Sequence, residues 1–92
     1  MNNNKDKQKK LIALKKADSL INKIVQMVEK DQYCIDIMQQ NLAVIGLLKS
    51  FHHLVLENHL NTCFKRGMES SSEKRKKEIV DEVLKVINLS NR

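Results

Sequence analysis

Apolar residues recur along the first third of the chain at alternating three- and four-residue steps. Leu14, Ala17, Ile21, Ile24 and Val28 form one stripe of a helix over about 8–29, and Leu20 and Met27 widen it. Asp31, following a break around Lys30, is the expected N-cap of the next helix. That second helix runs from about 32 to 65 without a proline or a turn cluster. Its centre, Leu42-Ala43-Val44-Ile45-Gly46-Leu47-Leu48, is apolar on every side. Gly67 reads as its C-terminal stop. Ser70-Ser71-Ser72 then leads into a third helix over about 73–89, capped by Ser70 with Glu73 or by a neighbouring serine. Ile79, Val80, Val83, Val86 and Ile87 line its apolar side.

At ~1.5 Å per residue the central helix extends about 50 Å. A chain of 92 residues has too little material to cover such a rod all round. The apolar middle therefore predicts burial by other copies of the chain. Gly46 costs about 1 kcal/mol in a helix interior, and close approach of a partner helix is a reason to keep it. The expected fold is all-α, a three-helix protomer with one very long central helix. It forms a single domain over 1–92, with 1–8 as a flexible arm.

Composition supports this and excludes other classes. The absence of proline and a count of two glycines disfavour a turn-rich β-sandwich or barrel. Hydrophobic residues at 41% and charged residues at 30% describe a folding chain rather than a disordered tail. The first ten residues lack the apolar core of a signal peptide, and no apolar run is long enough to span a membrane. Cys34 and Cys63, outside any secretory context, read as cytosolic thiols before they read as a disulfide, so a cytoplasmic location is expected. With no glycine-rich phosphate loop and no convincing acid–base pair, enzymatic activity is not expected.

The net charge of +6 is unevenly spread. Residues 1–30 carry eight lysines against Asp6, Asp18 and Glu29, a net of +5, whereas the remainder is nearly neutral. A basic arm on a near-neutral body is an electrostatic footprint for nucleic acid. A solvated lysine-rich face is the competing reading, because lysine without arginine or interleaved aromatics attracts phosphate but reads no base.

Cys34, His59 and Cys63 carry the candidate chemistry. His59 and Cys63 are four residues apart, so on a helix they share a face and can converge on one ion. Cys34 falls on the same broad stripe, through Met38, Leu42, Ile45, Leu48, His52 and Val55. On a continuous helix Cys34 and Cys63 of one chain stand about 43 Å apart, from 29 residues at ~1.5 Å, which rules out a shared metal or a disulfide within that chain. Pairing two antiparallel copies about a two-fold axis near residues 48–49 sets Cys34 of one beside Cys63 of the other, giving two equivalent sites per dimer. Two thiolates and an imidazole form a soft three-ligand set that suits trigonal Cu(I) better than a four-ligand structural Zn²⁺. Taken singly, each cysteine reads first as a small buried hydrophobe, and His59 as a solvated or capping residue; the spacing and the two-fold pairing together reverse that preference. His52 and His53 have no matching ligand role.

Tyr33-Cys34 followed by Asp36, then Gln40, Ala43-Val44 and finally Glu57-Asn58-His59-Leu60-Asn61-Thr62-Cys63, resembles the CsoR-type metal-sensing transcriptional repressors. The resemblance covers about residues 12–87. It implies an antiparallel dimer with a four-helix-bundle core, paired into a homotetramer as a dimer of dimers, that binds operator DNA when metal-free. Cys34, His59 and Cys63 match all three ligand positions of the copper(I) sensors. The nickel/cobalt branch has a histidine near the N-terminus, where this chain has Asn2, Asn3 and Asn4, and another in place of Cys63. The persulfide branch lacks the histidine that His59 supplies, and the formaldehyde branch lacks the second cysteine. The resemblance further implies that Tyr33 supports the metal site and that a third-helix carboxylate, Glu78 or Glu82, steadies the His59 ring.

One departure bears on DNA. Where the family's first helix carries arginines and glycines, this chain has Lys16-Ala17-Asp18-Ser19-Leu20-Ile21-Asn22-Lys23, and the second-helix basic position is Ser50, beside Lys49. Lysine does not reproduce the bidentate fork of arginine. The resulting expectation is a Cu(I)-responsive repressor whose phosphate contacts come from Lys9, Lys10, Lys15, Lys16, Lys23 and Lys49. A persulfide- or redox-sensing repressor of the same fold, and a metal-binding assembly protein that has lost DNA binding, are the alternatives.

Overall fold

The computed structural model describes residues 4–90, the Ser90 side chain excepted. Four α-helices follow in order: α1 (Asn4–Glu29), α2 (Cys34–His59), α3 (Lys65–Met68) and α4 (Glu73–Ser90), with a π turn over Leu60–Phe64 between α2 and α3. α1 starts at Asn4, so residues 4–8, expected as part of an arm, are its first turns. Residues 1–3 of that expected arm, with Asn2 and Asn3, lie outside the described residues. The described residues divide into two compact units, one ending at Leu56 and one beginning at Glu57.

In the first unit α1 and α2 are joined by a four-residue turn. The Gln32 N–H donates to the Met27 carbonyl at 3.0 Å and the Asp31 N–H to the Val28 carbonyl at 3.1 Å, the paired bonds of a Schellman stop. Asp31 sits at its left-handed position with φ 53°. It therefore closes α1 rather than capping α2. Aspartate is one of the few side chains that tolerates this conformation. Tyr33 precedes α2, and its carbonyl accepts from the Ile37 N–H at 3.2 Å.

The buried face of α1 consists of Ala13, Ala17 and Met27, with Leu20 and Ile24 half-buried. This stripe is rotated from the expected one: Leu14, Ile21 and Val28 are exposed together with Val25. Ala17, only 2% exposed, is the most deeply covered residue of α1. Val44 is the buried residue of α2, whereas Ile35, Met38, Leu42, Ile45 and Leu48 are exposed, Leu42 at 65%. Apart from its own turn of helix, no atom of the described residues lies within 4 Å of where a Cβ on Gly46 would stand.

In the second unit Gly67 lies inside α3 without a positive φ, so it is not a left-handed stop. An added Cβ would run into Ile79 Cδ1 and come within 3.3 Å of its Cγ1. Gly67 is small because α4 crosses there. Ile79 and Val83 are the buried residues of α4, and Ile79 meets this contact, while Val86 is exposed. Ser72 caps α4: its hydroxyl accepts from the Arg75 N–H at 3.2 Å and its carbonyl from the Lys76 N–H at 3.1 Å. The residue three positions into the helix is Arg75 rather than a glutamate, so no capping box forms.

Candidate metal centre

Cys34 is the first residue of α2, where the free N–H groups of a helix end favour negative charge. Its neighbour Tyr33 is 66% exposed. His59 is the last residue of α2 and is half-buried, and Cys63 lies in the π turn that follows. Both cysteines are exposed, and neither is joined in a disulfide among the described residues. Thr62 links the turn to both neighbours: its hydroxyl donates to the Asn58 carbonyl at 2.7 Å and lies 3.7 Å from Cys63 Sγ. Periodicity alone gave no sign of the π turn. Its one visible trace was a β-branched hydroxyl residue beside the second cysteine, a type that competes with backbone bonding in helices.

Among the described residues of one chain, no three His, Cys, Asp or Glu side chains converge on a point where a metal would sit. Two exposed thiols and an imidazole are nonetheless the soft donor types that Cu(I) takes. Glu78 is engaged by Arg75, whose guanidinium stands 3.4 Å from its carboxylate on an exposed face of α4. Glu82 lies one turn further along, also exposed. His52 Nε2 is buried with no hydrogen-bond partner, and its ring meets that of His53 edge-on at 6.3 Å.

Of the candidate DNA-contacting residues, Lys9, Lys15, Lys16, Lys23 and Lys49 are exposed and Lys10 is half-buried. Lys9, Lys16 and Lys23 recur every seven residues, two turns of α1, and so form one ridge flanking the buried face. Lys15 lies off this ridge and joins Lys16, Ser19, Leu20 and Leu47 around a shallow hollow between α1 and α2.

Residues 6–88 match the family described as metal-sensitive transcriptional repressors, and the chain belongs to that family. It is similar to the copper-sensing transcriptional repressor CsoR of Mycobacterium ulcerans, with 41% identity over 58 residues covering 63% of this chain and 50% of the relative. The CsoR of Mycobacterium tuberculosis H37Rv is 35% identical over 78 residues, 84% of this chain and 66% of the relative. That of Bacillus subtilis 168 is 33% identical over 72 residues, 76% and 71% of the two chains. The chain thus spans between half and two thirds of the length of these mycobacterial relatives. In fold it matches the crystal structure of the copper-sensing repressor CsoR with Cu(I) from Geobacillus thermodenitrificans NG80-2, with a TM-score of 0.85 at 24% identity over 100% of this chain and 93% of the other. No helix among the described residues is long and apolar enough to cross a membrane.

Proposed function

We propose that this chain is a cytoplasmic Cu(I)-responsive transcriptional repressor that binds operator DNA when metal-free and releases it when Cu(I) binds. The observation that carries the reading is the distribution of donors along α2. Cys34 opens the helix, His59 closes it with Cys63 one turn beyond, and an exposed apolar stripe lies between. Antiparallel pairing of two copies through that stripe would cover Met38, Leu42, Ile45 and Leu48. It would also bring Cys34 of each chain to His59 and Cys63 of its mate. The copper-sensing names of the relatives favour the metal.

When bound, Cu(I) supplies a soft centre that ties two chains at each site. The protein's part is to deliver two thiolates and a neutral imidazole, so metal binding releases protons and weakens as pH falls. Tyr33, at the start of α2, would shield the Cys34 sulfur. Glu78 or Glu82 would accept from the His59 ring, and Arg75 engages Glu78 in the single chain. Dimers would pair into a tetramer. Metal binding would favour the assembly that fits DNA worse, by a coupling of about 1–3 kcal/mol.

Anaerobic Cu(I) titration with X-ray absorption tests the site. The expected result is one Cu(I) per chain with two sulfurs and one nitrogen, lost in Cys34→Ala while helicity is kept. Unchanged affinity and stoichiometry in that variant would overturn it. The exposure of both thiols keeps a sulfur-based switch as the second reading, and mass spectrometry after polysulfide treatment detects the bridge it requires. DNA binding is tested on the chain's own upstream region. Affinity should fall steeply with salt, and Ala at Lys9, Lys16 and Lys23 should each reduce the salt slope by about 1. A slope unchanged in all three variants would remove the α1 ridge from the interface.

A further inference from the structure

The helix that carries His59 and Cys63 departs from α bonding over a single turn. The π turn Leu60–Phe64 is flanked by His59 at φ −60°, ψ −45° and Lys65 at φ −58°, ψ −45°, both α-helical. The distortion is therefore one extra residue accommodated within a helix that continues on either side. Isolated π turns of this kind are rare and concentrate at functional sites.

Thr62 stands in the middle of the turn. Its hydroxyl donates at 2.7 Å to the Asn58 carbonyl, which in an α-helix would accept from the Thr62 backbone N–H. Supplying that carbonyl from a side chain frees the backbone ladder to slip by one residue, and such back-bonds are known to bend helices. The hydroxyl has one proton, committed to the shorter bond, and its oxygen lies 3.7 Å from Cys63 Sγ. The same side chain thus touches a carbonyl just before the distorted turn and the sulfur within it.

Register matters to the sulfur. With 3.6 residues per turn, a step of four overshoots a full turn, whereas in the wider π turn it falls short. The π turn therefore sets Cys63 at a different angle about the helix axis, relative to His59, from the one an unbroken α-helix would give. We propose that Thr62 is a positioning residue for Cys63: its hydroxyl, bonded to the Asn58 carbonyl, holds the π register that sets the sulfur's place relative to His59. The importance of that place for metal rests on the Cu(I) reading, and the hold on the register does not.

The test uses the full chain with Thr62→Val, an isostere lacking the hydroxyl, and Thr62→Ser, which keeps it. In metal-free protein carrying Cys34→Ser, amide hydrogen exchange across 60–66 and the iodoacetamide alkylation rate of Cys63 are measured. Cu(I) affinity is measured with Cys34 intact, by competition with a chromophoric chelator. Thr62→Val should change the exchange pattern of the turn, shift the alkylation rate by about fivefold, the equivalent of one hydrogen bond, and weaken Cu(I) binding by roughly tenfold. Thr62→Ser should restore all three. Exchange and alkylation unchanged in Thr62→Val, or not restored by serine, would overturn the proposal. If Thr62→Val moves both metal-free measurements while the parent chain takes up no Cu(I), the copper reading fails and the assignment of Thr62 stands.

Discussion

Gly67 and Asp31 hold positions usually given to other residue types, and each exchange has a measurable consequence. Gly67 is helical, and only the Ile79 side chain stands where its Cβ would go. Alanine there gains up to about 1 kcal/mol of helix propensity but overpacks a buried contact at a cost of about 1–3 kcal/mol. Gly67→Ala should therefore lower stability in urea melts at fixed protein concentration. In an Ile79→Val background, which removes Cδ1, the same substitution should become neutral or stabilising. Asp31 presents the converse, a left-handed φ of 53° borne by a side chain. Asp31→Gly should raise stability by about 1 kcal/mol through relief of that conformation. A loss would mean that its carboxylate contributes more than its backbone costs.

At the scale of elements, hydropathy spacing marked helices over about 8–29, 32–65 and 73–89; the first begins earlier, at Asn4, and the second ends at His59 and gives way to the π turn and α3. The spacing did not identify which face of each helix is covered. In α1 two apolar stripes lie side by side, one through Ala13, Ala17 and Met27 and one through Leu14, Ile21, Val25 and Val28. A period of 3.6 fits both, so spacing alone does not choose between them. The turn residues were misread for a related reason. Aspartate before a helix is more often an N-cap than a C-terminal stop, and glycine after a long helix more often a stop than a crossing point. Cys34, His59 and Cys63 were conspicuous as candidate ligands because ligand chemistry restricts residue type and spacing together. The π turn was not, because it leaves the four-residue interval of His59 and Cys63 unaltered and changes only their azimuth.

At the scale of the whole molecule, the described residues have six buried hydrophobic side chains and a central helix with only Val44 among them. Exposed Met38, Leu42, Ile45 and Leu48 recur at three- and four-residue steps, the spacing of a helix seam awaiting another helix. The lysine ridge of α1 and the apolar seam of α2 lie on different helices. Charge and self-association can therefore be altered one at a time, so that a DNA-binding defect in a lysine variant is separable from a loss of assembly.

Gly46 turns that seam into a gauge. Among the described residues of a single chain, nothing beyond the glycine's own turn of helix stands in the way of a methyl group at this position, so Gly46→Ala should stiffen the helix and gain about 1 kcal/mol by propensity alone. In dilute, dissociated protein the gain should appear in full. Where a second helix lies flush against the glycine, the methyl becomes a wedge and the sign reverses. Thermal melts of this one variant across a concentration series thus report how near the neighbouring backbone comes, using a single carbon atom as the spacer.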